Sequence, residues 1–144
     1  MRKAIEYSLR AEKSAFEQIR IRYSGDAYEF AKKFWADDIL IYESVFIILM
    51  SKAYKVIGYA KIGQGGTRGA VVDIKLVAKY AIDVMAAGVI LVHNHPSGLA
   101  YPSDEDKKLA KNIESGLRLL DVALMDSLII TDSEYYSMKD NNDF

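Results

Sequence analysis

Apolar positions along this chain change period several times, and each change predicts an element. In "EQIRIRY", Ile19, Ile21 and Tyr23 alternate with Arg20 and Arg22, which predicts a half-buried strand. Ser24 then stands as a helix cap, and Ala27, Phe30, Ala31 and Phe34 follow at helical spacing. "ILIYESVFIILM" is apolar on both faces and predicts a central strand. "SKAYK" predicts a hairpin turn into a second strand over Val56 to Ile62, and "GQGGTRG" a flexible connection. Ile74, Val77, Ala78, Ala81, Ile82 and Met85 mark an amphipathic helix, with Asp73 at its start and Gly88 past its end. "VILV", Val89 to Val92, is short and rich in β-branched residues, so it predicts a buried strand. A helix from Pro102 to Leu119 comes next, with Leu109, Ile113 and Leu120 on its inner side. "VALMD" and "SLIIT" predict one or two short strands. The first dozen residues fit a short helix or a loose terminus. Strand pairs interleaved with helices predict an α/β domain: a mixed β-sheet packed between helices.

Composition narrows the class. The 144 residues suit one domain, and 51% apolar residues suffice for a sizeable core. The longest apolar runs are broken by Glu43 and Ser44, too short and too polar to span a bilayer. The N-terminal stretch carries Glu6, Glu12 and Glu17 and lacks the apolar core of a signal peptide, so a cytoplasmic protein is expected. The absence of cysteine excludes disulfides, a thiol nucleophile and cysteine-based zinc sites, including that of the zinc nucleotide deaminases. Nineteen basic and twenty acidic residues are well mixed, so the charge pattern gives no strong nucleic-acid signal.

The chemistry concentrates in "LVHNHPSGLAYPSDED", which holds the chain's two histidines, His93 and His95. In an extended segment, residues two apart point the same way, so these imidazoles share one side and Asn94 takes the other. Pro96 favours extended geometry at His95 and protects that arrangement. Two histidines are too few for a structural zinc site, which wants four protein ligands. Downstream, Ser103 and Asp106 stand in the S-x-x-D spacing of a capping box. A carboxylate on that first turn can cap the helix and still face a metal. Two neutral imidazoles and one carboxylate would leave a zinc ion an open position, where water can ionise near a pKa of about 7. The same ligand set also suits non-haem iron. Structural histidines and a plain helix cap are the bland alternative. Glu43, set in an apolar run, suits a general base or a partly exposed strand-end residue.

These residues carry a resemblance. Glu43, "HNHPSG" and "PSDED" resemble the JAMM metalloprotease motif in the form used by RadC-family proteins. The likeness runs from about Phe16 to Met138 and includes "GDAYEFAKKF", "YESVFIILMSKAYKVIG", "GGTRGAVVDIKLVAKYAI" and "LRLLDVALMDSLIIT" in order. It implies a JAB/MPN-like fold, also similar to cytidine deaminases. It implies zinc ligands at His93, His95 and Asp106, a general acid/base at Glu43, and Ser103 supporting the water or a developing oxyanion. The sequence departs from the family pattern in two places. Ser127 stands where RadC proteins commonly have histidine, and no helix-hairpin-helix region precedes the domain.

Two functions follow from the resemblance. One is a zinc-dependent hydrolase of peptide or isopeptide bonds, with a peptide or protein conjugate as substrate. The other is a non-catalytic or accessory RadC-like protein of DNA repair or of a mobile element. The presence of all five motif residues favours the first. Membrane partners are not expected, and self-association into a homo-oligomer is left open.

Overall fold

The computed structural model describes residues 1–8, 10–35, 37–65 and 72–144. Helix α1 (Ser24–Phe34) leads through a 3-10 turn at Asp37–Leu40 to the hairpin of β1 (Ser44–Met50) and β2 (Val56–Gln64). Helix α2 (Ile74–Asp83), strand β3 (Gly88–Asn94), helix α3 (Asp104–Arg118) and strands β4 (Ala123–Ile130) and β5 (Tyr135–Ser137) complete the order. The sheet runs β2-β1-β3-β4-β5. β3 is antiparallel to β1 and parallel to β4, so the sheet is mixed, as its pattern of elements predicts.

The topology explains the layers. β2 and β3 both oppose β1, so they run the same way and are joined by a crossover through α2. β3 and β4 are joined by a second crossover through α3. Both crossovers step across the sheet in one direction, so a common handedness puts both helices on one face. Val77 and Ala81 of α2 and Ala110, Ile113 and Leu117 of α3 pack there on Ile47, Val89 and Leu91. Ala27, Tyr28, Phe30 and Ala31 of α1 cover the other face, on Ile48, Ile90 and Val92. β3 is buried at all seven positions because it lies inside the sheet with helices on both sides.

Several expectations are corrected. "EQIRIRY" is not a strand: an isolated bridge between Arg20 and Lys55 holds it to the β1–β2 turn, and Tyr23 is 65% exposed. Two backbone hydrogen bonds, Ile21 to Tyr54 and Ile19 to Val56, do not extend into a ladder. Ser24 is not the cap of α1. Tyr23 takes that position, and the Ser24 hydroxyl bonds Asp140 and Tyr135 instead. The "ILIYESVFIILM" strand begins only at Ser44, so Glu43 lies one residue ahead of β1. α2 starts on the Asp73 cap as expected, but Met85 lies beyond its end with a φ of 53° and 82% exposure. Gly88 is the first residue of β3 and not a helix terminator. On α3 the buried positions are Ala110, Ile113 and Leu117, while Leu120 is past the helix and exposed. The first dozen residues carry no helix among those described. The "GTRG" part of the glycine loop, 66–69, lies outside the described residues.

Candidate metal centre

The site forms where β3 ends, β1 begins and α3 starts. Val45 pairs directly with His93 in the antiparallel β1–β3 ladder. Carrying that register two residues further sets Glu43 opposite His95, with both side chains on the face shared by α2 and α3. The parallel partner strand ends alongside, and His95 N–H donates to the Ile130 carbonyl (3.0 Å). Ligand sites at the carboxyl ends of parallel strands are a general outcome of this layered architecture.

The turn after β3 returns the chain to the histidines. Gly98 N–H donates to the His95 carbonyl (3.1 Å), and Gly98 has a φ of 86°, a conformation a side chain would strain. The turn brings the Leu99 carbonyl within 2.9 Å of His95 Nδ1. A carbonyl can only accept, so Nδ1 carries the proton and Nε2 is the inward-facing nitrogen. Such an outer hydrogen bond is the usual orientation device for a metal-ligating histidine.

Ser103 and Asp106 form the capping box. The Ser103 hydroxyl accepts from Asp106 N–H (3.1 Å), and Asp106 Oδ2 accepts from Ser103 N–H (2.8 Å). The same carboxylate faces the histidines. Asp106 Oδ1 is 3.3 Å from His93 Nε2, and Oδ2 is 3.2 Å from His95 Nε2. The two Nε2 atoms are 3.2 Å apart, and Glu43 Oε1 is 3.6 Å from that of His95. His93 is 3% exposed, whereas His95, Glu43 and Asp106 each keep part of their surface open. Ser103 is exposed on the rim, at the start of α3.

This electrostatic arrangement calls for a cation. An Nε2 lone pair aimed at a carboxylate is repelled unless a proton or a metal ion lies between them. In the metal-free protein, hydrogen bonding to Asp106 raises the His95 pKa despite burial. Burial pushes Asp106 upward, but its bonds to His93 and His95 outweigh that and hold it far below the usual carboxylate range. The donor set also has the right size for a metal. With metal–ligand bonds of about 2.0–2.1 Å, the edge of a tetrahedron is roughly 3.3 Å, which the imidazole–imidazole separation of 3.2 Å matches, while Asp106 turns a different oxygen to each histidine. Glu43, His93 and His95 also form a group able to hold an ion, each offering an atom within 4.8 Å of the others. Two histidines and a carboxylate therefore fit a metal, with either Asp106 or Glu43 as the carboxylate.

The RadC-like JAB domain model matches residues 21–143. The chain belongs to that family. A UPF0758 protein of Flavobacterium johnsoniae is 41% identical over 105 residues, covering 73% of this chain and 46% of the relative. A UPF0758 protein of Porphyromonas gingivalis is 33% identical over 115 residues, covering 79% and 50%. One from Acidithiobacillus ferrooxidans is 35% identical over 94 residues, covering 65% and 42%. The chain thus spans about half, or less, of the length of these relatives. Among the described residues of this RadC-like domain, no helix is long and apolar enough to cross a membrane.

One residue of the site is not distinguished by the sequence pattern beyond its direction. Asn94 is completely buried on the α1 side of β3. Its Oδ1 accepts from Ser44 N–H (2.7 Å), and its Nδ2 donates to the carbonyls of Ile39 (2.7 Å) and Tyr42 (2.8 Å). The available signal was an amide at a position the strand period buries, since a buried amide must find partners. Ser127, where the family resemblance expects histidine, lies on β4 beside Leu91, one same-face step before the level of His93.

Proposed function

We propose that this chain is a zinc-dependent hydrolase of the RadC/JAMM type that cleaves a peptide or isopeptide bond. The observation that carries the proposal is the convergence of two imidazoles and a carboxylate: the Nε2 atoms of His93 and His95 stand 3.2 Å apart, a tetrahedral edge for zinc, and each faces an oxygen of Asp106. In this scheme those three side chains hold the metal. A zinc ion there would supply Lewis acidity toward a carbonyl and toward water.

The remaining steps belong to the chain's own groups. Glu43 stands on the same side as His95, 3.6 Å from its Nε2, so its carboxylate accepts a proton from the attacking water. It then returns that proton to the leaving amine. The Ser103 hydroxyl oxygen is engaged as an acceptor from Asp106 N–H, so its own hydrogen stays available to donate toward negative charge growing on the carbonyl oxygen. His95 keeps its outer proton on the Leu99 carbonyl throughout and takes no part in proton transfer. The substrate is a peptide or a protein conjugate.

The test is metal analysis of protein purified without chelator, paired with a panel of peptides and isopeptide conjugates. We expect one zinc per chain and hydrolysis that a chelator abolishes and added zinc restores. Protein that neither contains nor takes up zinc would overturn the proposal.

A further inference from the structure

Asn94 faces away from the imidazoles on either side of it, and all its hydrogen bonds converge on one short segment. Ile39, Tyr42 and Ser44 receive or supply them, and these residues bracket Glu43. That segment's other support on this side is local: the 3-10 turn Asp37–Leu40 and the N–H groups of Ile41 (2.9 Å) and Tyr42 (3.1 Å) donating to the Asp38 carbonyl, none of which ties it to β3. The β1–β3 ladder begins at Val45, and the β1–β2 ladder begins at Ser44. On the far side, the Glu43 carbonyl accepts from Gly65 N–H (2.8 Å). From the β3 side, one buried amide therefore fixes the backbone on both flanks of Glu43.

We propose that Asn94 is a positioning residue, which clamps the 39–44 segment so that the Glu43 carboxylate stands at the imidazole pair. The proposal rests on Glu43 being the proton-handling group. The same backbone that carries Asn94 carries His93 and His95, so the amide adds to the Val45–His93 pairing a direct tie between the flanks of the base and the strand that holds the ligands. Only an asparagine amide supplies one acceptor and two donors at this length. Leucine would strand two carbonyls and an N–H in the interior. Aspartate keeps the acceptor but sets an oxygen against two carbonyl oxygens.

The test uses the full chain, with Co2+ alone as the probe, in wild type, Asn94→Asp and Asn94→Ser. Pseudocontact shifts at residues 39–44 report how firmly Glu43 is held near the metal, and shifts at 104–110 serve as the reference. We expect both variants to bind one Co2+ and to keep the 104–110 shifts while those at 39–44 collapse. Exchange of the Ser44 amide should quicken by roughly tenfold to a hundredfold, the usual effect of leaving buried polar groups unpaired. Filling volume alone predicts that Asn94→Asp, which has the same size, changes neither readout, and that result would overturn the clamp. If wild type binds no Co2+, the metal assignment fails, and Ser44 exchange in metal-free protein decides the clamp by itself. Should the variants not fold, wild type still decides. A Ser44 amide that exchanges as fast as exposed loop amides excludes the clamp, and one that exchanges only through global unfolding supports it.

Discussion

The two ends of β3 are built differently. At the Gly88 end lies a hollow of about 890 Å³, lined by Ile82, Met85, Leu120, Val122 and Leu124 with a few charged residues at its margin. Two of its charges, Arg118 and Glu114, pair with each other (2.9 Å), and Met85 and Leu119 stand more than four-fifths exposed. At the Asn94 end, two imidazoles and two carboxylates crowd to within 3.6 Å, and a capping box and an amide clamp hold the surrounding backbone. Roominess and chemistry thus fall at opposite ends of one strand. What marks the candidate metal site here is convergent donors that suit a cation, and not the size of a cavity.

The backbone differs in the same sense. Tyr54, Met85 and Asp121, all at the far end, take left-handed conformations without being glycine. Near the site, the turn after His95 uses Gly98 for its left-handed position. A fourth such residue, Asn142, precedes Asp143, which pairs with Lys107 of α3 (3.4 Å), so the contrast holds only at the turn itself, where glycine takes the left-handed position and a carbonyl meets His95.

The sharpest way to break the comparison is to separate the two carboxylates of the Asn94 end. Glu43→Gln should keep about one zinc per chain while hydrolysis falls by roughly 10²–10⁴-fold. Asp106→Asn should weaken zinc binding by more than about 100-fold, since even partners behind a ligand cost 10–100-fold. Metal content and turnover measured side by side check this. If Glu43→Gln lost zinc as badly as Asp106→Asn, Glu43 would be the ligand and the division of roles would be wrong.

A pH titration comes next in size. His95 is raised above its ordinary value near 6.5 by Asp106, so zinc affinity should fall about tenfold per pH unit once pH drops below the raised value. The metal-free protein should behave in the opposite way. A raised histidine contributes stability that is fully present below about 6.5 and is lost as pH climbs through the folded value. Asp106, held low, contributes stability that is fully present above the ordinary carboxylate range and is lost progressively as pH falls below it. Melting temperatures with and without zinc should therefore diverge as pH rises from 6 to 8. Parallel curves would remove the His95–Asp106 coupling.

The smallest effects test the backbone contrast. Gly98→Ala should cost about 1–2 kcal/mol from its φ of 86° alone, because no atom lies within 4 Å of the added carbon. It should also lower zinc affinity by moving the Leu99 carbonyl. Met85→Gly, at an exposed left-handed position, should leave zinc content unchanged and stability unchanged or raised by up to about 1 kcal/mol. Urea melts with metal analysis check both. Zinc loss in Met85→Gly would show that the two ends are not independent.

Much of this was legible in the sequence, because local periodicity reports which way a side chain points. H-x-H at the end of a buried run put both imidazoles on one face. S-x-x-D gave the capping box that brings Asp106 to the first turn of α3, and Asp73 marked the start of α2. Other local signals misled where a long-range partner decides the outcome. "EQIRIRY" alternates like a strand, but a strand needs a ladder, and only one bridge is available to it. Ser24 has the chemistry of a cap and spends it on Asp140 and Tyr135, more than a hundred residues away.

The tertiary structure alone decided how the site closes. Positions 43, 93, 95 and 106 come together through the pairing of Val45 with His93 and the crossover through α3. The amide of Asn94 reaches Ile39, Tyr42 and Ser44 only because β1 and β3 are neighbours in that register. A one-residue slip in pairing would turn Glu43 to the opposite face without altering any local preference. Sequence determined the direction of each group, and packing determined the distances between them, because directions follow from one strand or helix while distances require two.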